Sequence, residues 1–141
     1  MNTKDRNLLM LLRENARRPV SELARRLNLS RTATQARLEK LERSGVIDGY
    51  TVRLSPEFHQ NLIRAMVMIK ATPAKRAKTE HALSKLETVS SLHSISGQFD
   101  LIAEIEASHV QELDKAIDQI GKIEGVIDTL SSVILSTRIS R

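Results

Sequence analysis

Apolar residues recur at helical spacing through the first fifty positions and at strand spacing over much of the rest. Leu8, Leu9, Leu11 and Leu12 form one side of a first helix, with Thr3 as its cap and an end near Asn15. Asp5 lies in its first turn, where the positive end of the helix dipole favours an acid. Pro19 stops any continuation. Ser21 and Glu22 then open a short second helix that turns Leu23, Ala24 and Leu27 to the core. Asn28 tolerates the left-handed conformation that ends this helix, and Ser30 offers its hydroxyl to the free N–H groups of a third. Setting Thr34, Leu38 and Leu41 inward turns Thr32, Ala36 and Arg43 outward, with Gln35 beside them and Arg31 and Arg37 on the flanks. Gly45 ends this third helix, and Val46 and Ile47 return to the core.

Tyr50 to Leu54 is short and β-prone, and Ser55-Pro56-Glu57 signals a turn. A hinge strand and linker are therefore placed at residues 50–61, between a helical unit at 1–49 and a second unit at 62–141. The second unit reads as strand (Ile63 to Ala71), helix (Pro73 to Leu86), strand (Val89 to Ser96) and strand (Phe99 to Glu106) around a Gly97-Gln98 turn. A helix (Val110 to Ile120) and a strand (Val126 to Ile139) complete it. This βαββαβ order predicts an α+β chain, a three-helix helix-turn-helix unit joined to a ferredoxin-like antiparallel sheet with both helices on one face. Ala65, Val67 and Ile69 alternate with Met66 and Met68, so the first strand is apolar on both sides and the sheet is expected to be covered on both. A partner subunit's sheet is the expected cover. A helical unit of about 50 residues buries too little surface to stand firmly alone, which also favours oligomerisation.

Charge separates the two units. Residues 1–60 carry 12 Lys and Arg against 7 Asp and Glu, whereas the remainder is balanced, so the whole excess of +5 sits with the helices. A basic unit joined to a neutral one points to a polyanion for the first and another task for the second. Short side chains at the start of the third helix let it sink into the major groove of double-stranded DNA, where Gln and Arg pair with base edges and flanking cations reach phosphates. The candidate DNA contacts are Arg31, Thr32, Gln35, Ala36, Arg37 and Lys40. For Arg37, near the buried edge of the helix, a phosphate contact and an ion pair near Glu39 or Glu42 or with the first helix remain equal alternatives.

The chain has no cysteine, no apolar signal core at its N-terminus and no run near the roughly 20 apolar residues that span a bilayer. A cytoplasmic protein without a membrane partner is expected. His59, His81, His93 and His109 share no metal-ligand spacing, and neither a metal nor a cofactor is assigned.

Several stretches, in order, carry a resemblance. They are Asp5-Arg6-Asn7-Leu8-Leu9, Glu22-Leu23-Ala24, Leu29-Ser30, Arg37-Leu38-Glu39-Lys40-Leu41, Gly45-Val46-Ile47 with Tyr50, Gly97-Gln98-Phe99-Asp100-Leu101, and Gly125-Val126 leading to Thr129. With these the chain resembles, end to end, the Lrp/AsnC or feast/famine family of bacterial and archaeal transcription regulators. Asn28 departs from a frequent glycine, and Leu130-Ser131-Ser132 from a common Thr-containing alternation. The resemblance implies a homodimer, assembling further into a tetramer or octamer, and an amino-acid-like effector bound where dimers meet.

On their own residues, Gly97 and Asp100 make a hairpin turn in which the aspartate caps local N–H groups. The resemblance adds an effector role there, with Gly97, Gln98, Phe99, Asp100, Thr129 and Ser131 as candidates and Asp100 facing the ligand's ammonium. Two other readings are an enzyme on the same scaffold, like the siroheme decarboxylases, and a stand-alone metabolite-binding domain. The first needs a tetrapyrrole cavity that Tyr50, Phe58, Phe99 and scattered histidines are poor material for, and the second leaves the helix-turn-helix unused.

Overall fold

The computed structural model describes residues 1–140, the side chains of His59 and Gln60 excepted. It divides into two compact units, Met1–Arg53 and Leu54–Arg141. In the first, α1 (Thr3–Glu14), α2 (Val20–Leu27) and α3 (Arg31–Arg43) pack on Leu8, Leu12, Leu23, Leu27 and Leu41. Asn2, rather than Thr3, caps α1: its side-chain oxygen accepts from Asp5 N at 2.9 Å, so Thr3 becomes the first helical residue. α2 likewise starts one residue early, at Val20, because the carbonyl of Pro19 already accepts from Glu22 N and Leu23 N. Asn28 takes the left-handed conformation (φ 53°, ψ 54°), and Leu29 N closes the turn onto Ala24 O at 3.0 Å. Ser30 Oγ accepts from Ala33 N at 3.1 Å. After Gly45 (φ 72°) the backbone reverses, and only Ile47 of the expected apolar pair packs inward; Val46 is exposed.

In the second unit the sheet runs β2 (Val89–Ser94), β3 (Leu101–Ala107), β1 (Ile63–Ala71), β4 (Val126–Ile134), with every pairing antiparallel. α4 (Arg76–Ser84) and α5 (Val110–Gly121) supply Leu83, Leu113, Ala116 and Ile120 to a core shared with Ala65, Val67, Ile69, Leu101, Ala103 and Ile105. The other face of the same strands carries Met66, Met68 and Ile102, half-buried, beside exposed Leu130. Within one chain the helices cover one face only, so the second cover expected from the sequence is not supplied by this chain.

Boundaries shift where backbone partners run out. A 3-10 turn at Pro73–Lys75, in which Lys75 N donates to Thr72 O at 3.0 Å, precedes α4, and α4 stops at Ser84, short of Leu86. β4 ends at Ile134 rather than Ile139, because its neighbour β1 offers no partner beyond Arg64. Residues 50–54 pair with no strand among the described residues, so the hinge strand is not formed within a single chain. The β1–β4 register shifts between Lys70 and Ala71, where Lys70 faces Asp128 but Ala71 faces Val126. Among the described residues no helix is long and apolar enough to cross a membrane.

Candidate nucleic-acid interface and effector loop

Thr34 is fully buried beneath α3, its hydroxyl donating to Ser30 O at 2.9 Å, and this fixes which side of the helix faces out. Arg31, Thr32, Gln35, Ala36, Glu39 and Lys40 are all exposed. All of these but Lys40, together with Val20 of α2, line a shallow hollow along the outer face. The short side chain of Ala36 leaves the hollow open, and Gln35 Nε2 donates across it to Glu39 Oε1 at 2.9 Å. Arg37 points elsewhere. Its Nη1 donates to Asp5 Oδ1 at 2.8 Å and to Asn2 Oδ1 at 3.4 Å, which is the α1 ion pair left open by the sequence. Val20 and Glu39 were not among the expected contacts. The i, i+4 spacing of Gln35 and Glu39 is a signal that would have found the second; Val20 emerges only from the packing of α2 on α3. Beyond α3, Tyr50 Oη donates to Glu42 Oε1 at 2.6 Å, and that bond, with burial and the carboxylate charge, pushes the phenol up to about 12.

Residues 95–100 form an open loop, not a two-residue hairpin, closed by Ile95 N donating to Asp100 O at 3.0 Å. Gly97 has φ 119°, a conformation other residues rarely adopt. Phe99 is buried within the single chain, whereas Gln98 is exposed. The Asp100 carboxylate accepts from Ala71 N at 2.8 Å and its own N–H donates to Ile69 O at 2.9 Å, which shows the aspartate serving the backbone of β1. Thr129 sits opposite Ile69 on β4, at the same end of β1 as Asp100. Ser131 lies opposite Val67, about 7 Å further along the strand. Arg76, missed in the sequence, straps the loop to α4: its Nη2 donates to Ser94 Oγ at 2.6 Å and to Asp100 O at 2.9 Å. Among the described residues no group of three or more His, Asp or Glu is arranged to hold a metal; the side chain of His59 lies outside them.

Residues 1–42 match the AsnC-type helix-turn-helix domain, and residues 64–141 match the Lrp/AsnC ligand binding domain. The chain belongs to the Lrp/AsnC family of transcriptional regulators. The HTH-type transcriptional regulator LysM of Saccharolobus solfataricus is 31% identical over 97% of this chain and 95% of its own length. In fold, E. coli AsnC superposes with a TM-score of 0.89 at 22% identity, covering 100% of this chain and 96% of that one. A Neisseria meningitidis transcriptional regulator, solved in complex with L-Met, gives 0.88 at 24% identity over 99% and 93%. As an Lrp/AsnC protein the chain is a DNA-binding transcriptional regulator with a ligand-binding domain. Its relatives are named as regulators, and the enzyme reading finds no support among them.

Proposed function

We propose that this cytoplasmic regulator binds double-stranded DNA as a homodimer, with Arg31, Thr32, Gln35, Ala36 and Lys40 of each α3 meeting the major groove. Arg37 holds α3 on α1 and reaches a phosphate only if its pair with Asp5 opens. The observation that carries this reading is the exposed, short-chained hollow at the start of α3, where Gln35 can face base edges and Val20 and Ala36 suit a thymine methyl. Residues 1–49 serve DNA, residues 62–141 serve assembly and effector binding, and residues 50–61 are the hinge and linker, of which 50–54 become a strand once a second copy supplies an edge. Paired half-sites lie about 10 base pairs, or a multiple of that, apart. Footprinting across salt concentrations tests the reading. If about six phosphates are contacted, affinity falls by about 10³-fold between about 50 and 200 mM salt through release of counterions; a salt-independent affinity overturns it.

The ligand of the second unit is an amino-acid-like zwitterion, held near residues 97–100 where dimers meet in a tetramer or octamer. The L-Met complex of the Neisseria protein supports the ligand class. One oxygen of Asp100 is occupied by Ala71 N, and the other is left to meet an ammonium. Asp100→Asn separates the two duties, because a neutral amide still accepts from Ala71 N but no longer offsets a positive charge. In a thermal-shift screen of amino acids, an active ligand is expected to raise the Tm of the wild type. The variant should keep its unliganded Tm and lose that shift. Equal shifts in both proteins would remove Asp100 from the site.

A further inference from the structure

Glu39 is an unexpected residue for a face that meets DNA. It is exposed in the same hollow as Arg31, Thr32, Gln35 and Ala36, and a carboxylate there repels phosphates and lowers affinity for every sequence. Among the described residues it forms no ion pair, unlike Glu14, Glu22 and Asp5 of the same unit. Its polar contact is the 2.9 Å bond from Gln35 Nε2. Resting on the DNA-reading role of α3 proposed above, we infer that Glu39 is a positioning residue for base recognition, fixing the Gln35 amide so that it selects adenine.

A carboxylate only accepts, so the NH2 end of Gln35 must turn to Glu39 and the carbonyl Oε1 must turn away. An unrestrained glutamine can flip its amide and offer either end to a base. Held by Glu39 through one N–H, Gln35 keeps its second N–H and Oε1 as a donor and acceptor side by side. That pair complements N7 and N6–H2 of adenine in the major groove. Guanine presents two acceptors, N7 and O6, and places O6 against the fixed Oε1. Specificity thus comes from excluding a competitor at the expense of general affinity. Because Glu39 is exposed on the helix surface, replacing it leaves the core of the first unit intact.

The test measures base preference, which a merely structural residue would not move. Full-length wild type, Glu39→Ala, Glu39→Gln, Gln35→Ala and the Gln35→Ala/Glu39→Ala double variant are selected on a randomised half-site. Each is then titrated against duplexes permuted at every position. The wild type is expected to favour adenine at one position per half-site by about tenfold or more. Glu39→Ala should lose most of that preference while binding unrelated DNA more tightly. Glu39→Gln, whose amide can donate to Gln35 Oε1 as readily as accept from Nε2, no longer fixes the orientation and should lose part of the preference. In the Gln35→Ala background, Glu39→Ala should change no base preference. The inference is overturned if Glu39→Ala shifts all sequences alike and leaves the preference in place, or if it alters the preference equally without Gln35. A wild type without preference over random duplex at matched salt would overturn the recognition role of α3 as well.

Discussion

Met68→Asp is expected to yield a monomer and to lower affinity for a duplex with two half-sites by about 10²-fold or more, with little change on a single half-site. Met68 lies opposite Ile102 on β3 and Leu130 on β4, on the sheet face that α4 and α5 leave uncovered. In an isolated chain a carboxylate at this place faces water and costs little. Between two sheets it becomes a buried charge without a partner, and the interface does not form. Sedimentation gives the assembly state, and titration of one- and two-site duplexes gives the loss of bivalent binding. A variant that stays dimeric and binds both duplexes as the wild type does would place the interface elsewhere.

Gly125→Ala is expected to remove about 3 kcal/mol of stability, combining a positive φ with overpacking. Gly125 has φ +95°, and a Cβ built there collides with Thr79 Oγ1 and stands 3.0 Å from Lys75 Cβ. Thr79 cannot simply turn aside. It is fully buried, and its hydroxyl donates to Glu124 O at 2.8 Å and lies 3.0 Å from Lys75 O. Adding Thr79→Ala should therefore recover part of the loss, although Thr79→Ala alone destabilises, giving a non-additive pair in urea unfolding. A loss below about 1 kcal/mol for Gly125→Ala would mean that the strand entry yields easily.

The sequence made the helices and strands legible because their apolar positions hold one period for several turns or residues. Ser30, Asn28, Thr34 and Leu41 occupy the places that capping chemistry and the helical period assign them. Errors fall where local signals compete. Asn2 and Thr3 are both capping residues, and only the bond from Asp5 N decides between them. Residues 50–54 carry strand-forming side chains, but a strand exists only with a neighbour, which this chain does not give them. At the candidate sites, composition marked the basic helix but could not show that Arg37 is spent on Asp5 while Gln35 is held by Glu39. The same holds for Arg76, which reaches the 95–100 loop from a distant part of the chain.

The irregular step between Lys70 and Ala71 also governs how the last strand finds its place. β4 specifies its own alignment weakly, since Ile127, Leu130 and Val133 are apolar, exposed and three residues apart rather than two. A slip of one residue would carry Leu130 to the helix side and Thr129 to the opposite one. The shift at Ala71 admits one offset between the strands, and the Asp100 carboxylate holds Ala71 N on the other side of β1 while Thr72 N is bonded to Gly125 O at 2.8 Å. Correct threading of the final strand is thus specified from outside β4, by β1 and the loop before β3.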